Sequence, residues 1–164
     1  MDRLDDSLAP MVVPLQAGTV AGFVATVPMT AFMLIMHQLL PGSQQYELPP
    51  EEIVEEIIER AEVRGSVGKP QILGISLAAH FSYGSGMGSL YSILMQKLKW
   101  PPILKGSLFG LGIWMLSYLG WLPLGRFSAA APKESARRNL LMIIAHLIWG
   151  ATTGIVADQL ELYI

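Results

Sequence analysis

Four long stretches without a charged side chain constrain this chain more than any motif in it. No Asp, Glu, Lys or Arg occurs over Ser7–Tyr46, Pro70–Gln96, Gly106–Gly125 or Asn139–Ala157, gaps of 40, 27, 20 and 19 residues. A helix that crosses a bilayer needs about 20 mainly apolar residues. Each gap meets that length, and together they hold about two thirds of the 164 residues. Charged residues make up 15% of the chain, against roughly 25% in soluble domains. The pattern excludes an ordinary soluble enzyme, a disordered protein and a nucleic-acid binder. The net charge of −2 gives a polyanion nothing to bind. The chain has no cysteine, so disulfides, thiolate catalysis and thiolate metal sites are excluded. The acidic start, Met1-Asp2-Arg3-Leu4-Asp5-Asp6, and a first apolar run too long for a signal peptide predict a retained membrane helix.

The expected fold is all-α: a single membrane domain, 1–164, of four transmembrane helices. The spans fall at about 11–40, 72–95, 105–124 and 139–158. Pro28 is the expected kink in the long first span, and Pro41-Gly42-Ser43 its end. Between the first two spans, Pro49-Pro50-Glu51-Glu52 opens a helix, with proline in the first turn and acids at the positive end of the dipole. This extramembrane helix covers about 50–64 and ends at Gly65. Ile53, Val54, Ile57, Ile58 and Ala61 share one face, and Glu52, Glu55, Glu56, Glu59 and Glu62 lie elsewhere. Helices that lie on a bilayer usually carry Lys and Arg on the polar face. This acidic one is expected to pack on the protein or a partner instead. Gln96–Lys105 reads as a short basic turn, and Asp158 as a solvated group at the end of the last span. Trp100, Tyr118, Trp121 and Tyr163 fall near span ends, where aromatic belts sit. The two longer loops carry Arg60, Arg64, Lys69, Arg126, Lys133, Arg137 and Arg138, against Arg3, Lys97, Lys99 and Lys105 on the other side. The positive-inside rule then places the two loops in the cytoplasm.

The spans repeat internally. Ala79-His80-x3-Gly84-x3-Gly88 in the second matches Ala145-His146-x3-Gly150-x3-Gly154 in the fourth. Pro14-x3-Gly18-x3-Gly22 in the first matches Pro102-x3-Gly106-x3-Gly110 in the third. Two tandem copies of a two-helix unit would produce this, related by an axis along the membrane normal, as in some transporters. Small residues at i, i+4 are also the common packing code of membrane helices. The eight glycines are therefore expected at helix–helix contacts.

The three histidines are the only candidate chemical groups inside the spans. His80 and His146 fall about 12 and 10 Å in from the loop side at a rise of 1.5 Å per residue. His37 is about one turn from the same side. They cluster in depth, which leaves their lateral positions open. Neutral imidazole ligates transition metals and haem iron. His80, His146 and His37 are thus candidate cofactor ligands, for haem b or a divalent metal. Hydrogen bonding of each histidine to a neighbouring helix, with no cofactor and no metal, is the simpler expectation. Thr19, Thr26, Thr30 and His37 share one stripe of an ideal helix. That stripe is either a polar path for a small solute or a set of hydroxyls bonded to their own backbone. Tyr91, eleven residues after His80, falls on the same face as it. No nucleophile–base–acid set appears, so no catalytic residue is assigned.

The motifs resemble those of the YagU-like bacterial inner-membrane proteins, a family without an established activity. The likeness rests on Ala17-Gly18-x-x-Ala21-Gly22, Leu48-Pro49-Pro50, His80 with Tyr91, Gly106-x3-Gly110, Leu122-Pro123-Leu124-Gly125 and His146-x-x-Trp149. The acidic Glu51–Arg64 helix departs from that pattern, and His37 has no counterpart. The resemblance implies a multi-pass protein of the bacterial inner membrane and implies no reaction. The sequence-level expectation is a non-enzymatic helical bundle in the bilayer, forming a homo-oligomer or a subunit of a membrane complex. A haem- or metal-binding protein using His80 and His146 is the alternative. A small channel or transporter acting as an oligomer is the second.

Overall fold

The computed structural model describes the backbone of residues 2–41, 48–95 and 97–163, and the side chains of 12–41, 48–95 and 97–161. Among the described residues there are helices and no strands. Five carry the fold: α1 (Asp2–Gln38), α2 (Pro49–Arg60), α3 (Lys69–Met95), α4 (Pro102–Leu116) and α5 (Ala136–Tyr163). A π-helical turn, Ser117–Trp121, and an α-turn, Leu122–Leu124, extend α4. Among the described residues, three segments are long and apolar enough to cross a membrane: Val12–Gln38, Pro102–Leu124 and Ala136–Glu161, with mean hydropathies of 1.9, 1.4 and 1.9. With 27 residues α3 is also long enough. Its serines, its glycines and His80 keep it out of that apolar class.

Several boundaries differ from those the sequence suggests. Helix α1 begins well before residue 11 and runs through Pro28 without interruption. Pro102 rather than Lys105 opens α4. Lys105 therefore lies a turn inside the helix, 8% exposed, with Nζ 3.6 Å from Asp158 on α5. Its aliphatic stem covers apolar surface while the ammonium reaches the carboxylate. Asp158 is thus a partner and not merely a solvated end group. Helix α2 stops at Arg60, before Gly65, because Glu62 takes a left-handed conformation at φ 59°. Of the aromatic residues expected in interfacial belts, Trp100 and Trp121 are exposed, whereas Tyr118 is 4% exposed and belongs to the core. The Tyr163 side chain, and Gly42 and Ser43 at the expected end of the first span, lie outside the described residues.

The helices form two antiparallel pairs, α1 with α3 and α4 with α5, joined where α1 packs on α5. A methyl carbon built on Gly18 would overlap the Gly88 carbonyl oxygen, and one on Gly22 would overlap that of Gly84. In the other pair, Gly106 meets the Gly150 carbonyl, Gly110 that of His146, and Gly154 that of Pro102. Only glycine permits backbones this close. The seam between pairs is built from small residues as well. Ala21, Ala25 and Ala145 are fully enclosed, and Trp149 Nε1 donates to the Gly22 carbonyl at 3.3 Å. By contrast α3 and α4 barely touch. The bundle is closed on three sides and loose on the fourth.

Candidate functional site

Each element around the loose side has a local reason to be there. Helix α2 lies against the bundle because its apolar stripe is buried on one side and its charges are paired on the other. Val54 and Ile58 pack on Ile72 at the start of α3. Glu52 on the polar face meets Arg138 of α5 at 2.5 Å, and Arg138 also reaches Glu134 at 3.3 Å. Arg60 donates to the carbonyls of Gly125 and Arg126 at 2.8 and 3.0 Å, and its guanidinium stacks 4.6 Å from the Phe127 ring centre. The acidic face that looked unsuited to a lipid surface is therefore partly used on the first turn of α5, through Glu52, while Arg60 holds the loop between α4 and α5.

Beneath α2, between the two helix pairs, lies a cavity of about 260 Å³. Its walls are mainly apolar: Met29 and Met33 from α1, Ile53 and Ile57 from α2, Met87 from α3, and Ile113 from α4. His80 and His146, 66 residues apart in the chain, both line it. Tyr83, Tyr118, Trp121 and Trp149 supply aromatic surface. No Asp, Glu, Lys or Arg is among the lining residues.

The two histidines differ in their bonding. His146 is 8% exposed, and its Nδ1 lies 2.8 Å from the Met142 carbonyl oxygen one turn back. A carbonyl only accepts, so Nδ1 carries the proton and Nε2 of the uncharged ring is left as an acceptor. The Tyr118 ring stands edge-on to it at 5.9 Å. His80 has its Nε2 buried without a hydrogen-bond partner. An unpaired buried polar atom costs about 1–3 kcal/mol, and nothing within the described chain offsets that cost here.

The π-helical turn shapes the same wall. Ser117, Tyr118, Trp121 and Leu122 come from it or its edge, and all four line the cavity. Within it Gly120 leaves helical geometry, with φ −114° and ψ −106°. Single π turns inside α-helices are frequent at functional sites because they redirect side chains. Across the gap, Tyr83 Oη lies 3.5 Å from Ser117 Oγ, and the Tyr83 and Trp121 rings are 6.3 Å apart. Both residues line the cavity and are also about two-fifths exposed on the outer surface, at 41% and 40%. They form one edge where the cavity reaches the surface, on the side between α3 and α4, and Ile57 of α2, 49% exposed, forms another.

The remaining candidate residues are placed as follows. His37 does not line the cavity. Thr19, Thr26 and Thr30 donate to the carbonyls of Leu15, Gly22 and Thr26 at 2.7, 2.8 and 2.7 Å. Thr26 is fully buried and lines the cavity, whereas Thr19 is exposed and shares a 2.6 Å hydrogen bond with Ser89. Tyr91 packs on Phe109, away from the cavity lining. Among the described residues no three His, Cys, Asp or Glu side chains gather as a metal-binding group. Sequence reasoning missed the methionine and aromatic walls and the lid formed by α2. The i, i+4 spacing of Met29 and Met33 was the one local signal available.

No family model, curated protein or solved structure matches this chain.

Proposed function

We propose that this protein is a four-span integral membrane protein that binds a small neutral molecule inside the bilayer, in the cavity between its two glycine-paired halves. The convergence of His80 and His146 on one apolar cavity carries this reading. Binding sites are mostly apolar concavities with a few placed polar groups, and this one has two imidazoles and a π turn. Its volume lies below the roughly 300–1,000 Å³ of sites for drug-sized ligands. That disfavours a haem macrocycle. Two imidazoles without a carboxylate or thiolate beside them are a sparse set for a divalent metal.

In this reading α3 is the fourth span, turning Gly84, Gly88, Ser89 and Ser92 to α1 and Leu73, Leu77 and Leu90 to lipid. The matching glycine motifs support descent from a duplicated two-helix unit, and the short motifs support kinship with the YagU-like proteins of the bacterial inner membrane. The eight glycines that suggested self-association already pack within one chain, so association with a second copy or another subunit would need a different surface.

Ligand binding is tested by extracting the protein in lipid nanodiscs, then identifying co-purified small molecules by mass spectrometry beside an absorption spectrum. An Ile113→Phe variant, which enlarges a buried residue of the cavity wall while keeping both histidines, is expected to lose the molecule. A Soret band that disappears in His80→Ala would replace this reading with haem binding. The topology is tested by single cysteines in this cysteine-free chain. Positions 59 and 129 should label from one side of the membrane and position 99 from the other. Labelling of 59 and 99 from the same side would remove the fourth span.

A further inference from the structure

Resting on that reading, we infer that the ligand is a phenolic ring, the head of a lipid-dissolved quinol, which enters sideways between α3 and α4 and leaves its tail in the bilayer. Four observations support this. The cavity lining carries no charged side chain, so an ionic ligand would be buried without a counter-charge, at high cost. The proton on His146 Nδ1 is committed to the Met142 carbonyl, so the group that meets Nε2 has to donate. A hydroxyl donates and accepts in one atom, and the ring of His80 lines the same cavity. The aromatic walls, Tyr83, Tyr118, Trp121 and Trp149, offer faces and edges to a flat ring.

Entry follows from the packing. The α3–α4 side is the one the helices leave nearly uncontacted. Its mouth is held by one long hydrogen bond, Tyr83 to Ser117 at 3.5 Å, and by the Tyr83–Trp121 ring contact. Leu116 and Leu119 beside that mouth are exposed, at 67% and 48%, as a lipid-facing rim requires. A ligand arriving there comes from the bilayer and not from water. A cavity of about 260 Å³ accommodates a ring and not a long tail, so the tail stays outside.

The test is a tryptophan-fluorescence titration of the full chain in nanodiscs, since Trp121 and Trp149 line the cavity. The probes are 4-propylphenol, propylbenzene and a decyl-tailed ubiquinol analogue. 4-Propylphenol should bind about tenfold more tightly than propylbenzene, the worth of roughly one hydrogen bond. The decyl quinol should bind at least as tightly as the small phenol. The phenol preference should shrink to near unity in His146→Phe and to shrink also in His80→Leu, a milder change because that ring's Nε2 bonds nothing in the chain. Equal binding of propylbenzene and 4-propylphenol overturns the phenolic class while leaving a ligand-binding cavity. Binding of the small phenol with rejection of the decyl quinol overturns sideways entry. Failure of all three probes, with the fold intact by circular dichroism, removes the ligand-binding reading itself.

Discussion

The two helix pairs carry the same motif and use it one helical turn apart. In α1–α3, Gly22 faces Gly84 and Gly18 faces Gly88. If α4–α5 followed the same register, Gly110 would face Gly150. It faces His146 instead, and Gly106 faces Gly150. The slip changes what each histidine can do. His146 has its own backbone in the tightest part of the crossing, and its ring is fixed by the Met142 carbonyl. His80 lies one turn past its crossing, at a level where the neighbour of Gly84 is the Thr26 hydroxyl, and its Nε2 is left unbonded. One motif thus yields a fixed acceptor and an unbonded ring atom on two walls of one cavity. Identical spacing in sequence does not imply identical bonding, because register is set by everything else along the two helices.

The largest expected effect probes that difference. In Gly150→Ala the new methyl overlaps the Gly106 carbonyl, a backbone atom that cannot yield without shifting the helix. The expected loss is about 3 kcal/mol, the upper end for overpacking, read from unfolding in mixed micelles. In Gly84→Ala the nearest atom is the Thr26 hydroxyl, so the loss should be smaller, and adding Thr26→Ala should restore part of it. Equal losses with no relief from Thr26→Ala would mean that the pairs do not differ in this way.

A second prediction concerns the lid. The Arg138 side chain is 9% exposed and its Glu52 partner 27%. The pair thus lies between an exposed one, worth about 0–1 kcal/mol, and a buried one, whose breakage costs about 3–5 kcal/mol. Arg138→Met should cost about 2 kcal/mol and raise hydrogen exchange over Pro49–Arg60 while α1 keeps its protection. Unchanged exchange in α2 would show that its apolar face alone holds it.

Smaller effects separate the histidines. His146→Leu should lose about 1 kcal/mol with the Met142 hydrogen bond. His80→Leu should be neutral or slightly stabilising, since it removes a buried unpaired atom. The reverse order in thermal melts would contradict the bonding described for the two rings. Smallest of all, Glu62→Gly should stabilise by about 0.5 kcal/mol by relieving a left-handed backbone on a residue with a Cβ. No change in melting temperature would show that this turn is not strained.

Much of the architecture was legible because long charge-free runs leave a chain few options but apolar helices. Charge-free runs of span length, the acidic amphipathic helix and the glycines at i, i+4 each follow from local chemistry. The site was legible in part. His80 and His146 stood out as intramembrane ionisable groups at similar depth, but depth is a one-dimensional coordinate. Tyr118 was misplaced because proximity to a span end does not show which way a helix faces. Lys105 was misread for a related reason: a three-residue change in where α4 begins turns a loop lysine into an inward one.

The sequence by itself determined that this is an all-helical chain with membrane-length apolar segments, that eight of its glycines recur at i, i+4 within them, and that it has no thiol chemistry. Those properties depend on residue type and spacing along one chain direction. Only the tertiary structure decided that the glycines pair within the chain, that the crossings differ by a turn, that α2 closes over a cavity, and that His80 and His146 line it while His37 does not. Those are questions of rotation and register between helices. A helix of near-uniform hydrophobicity has no polar face to fix its rotation, so packing against its neighbours settles it.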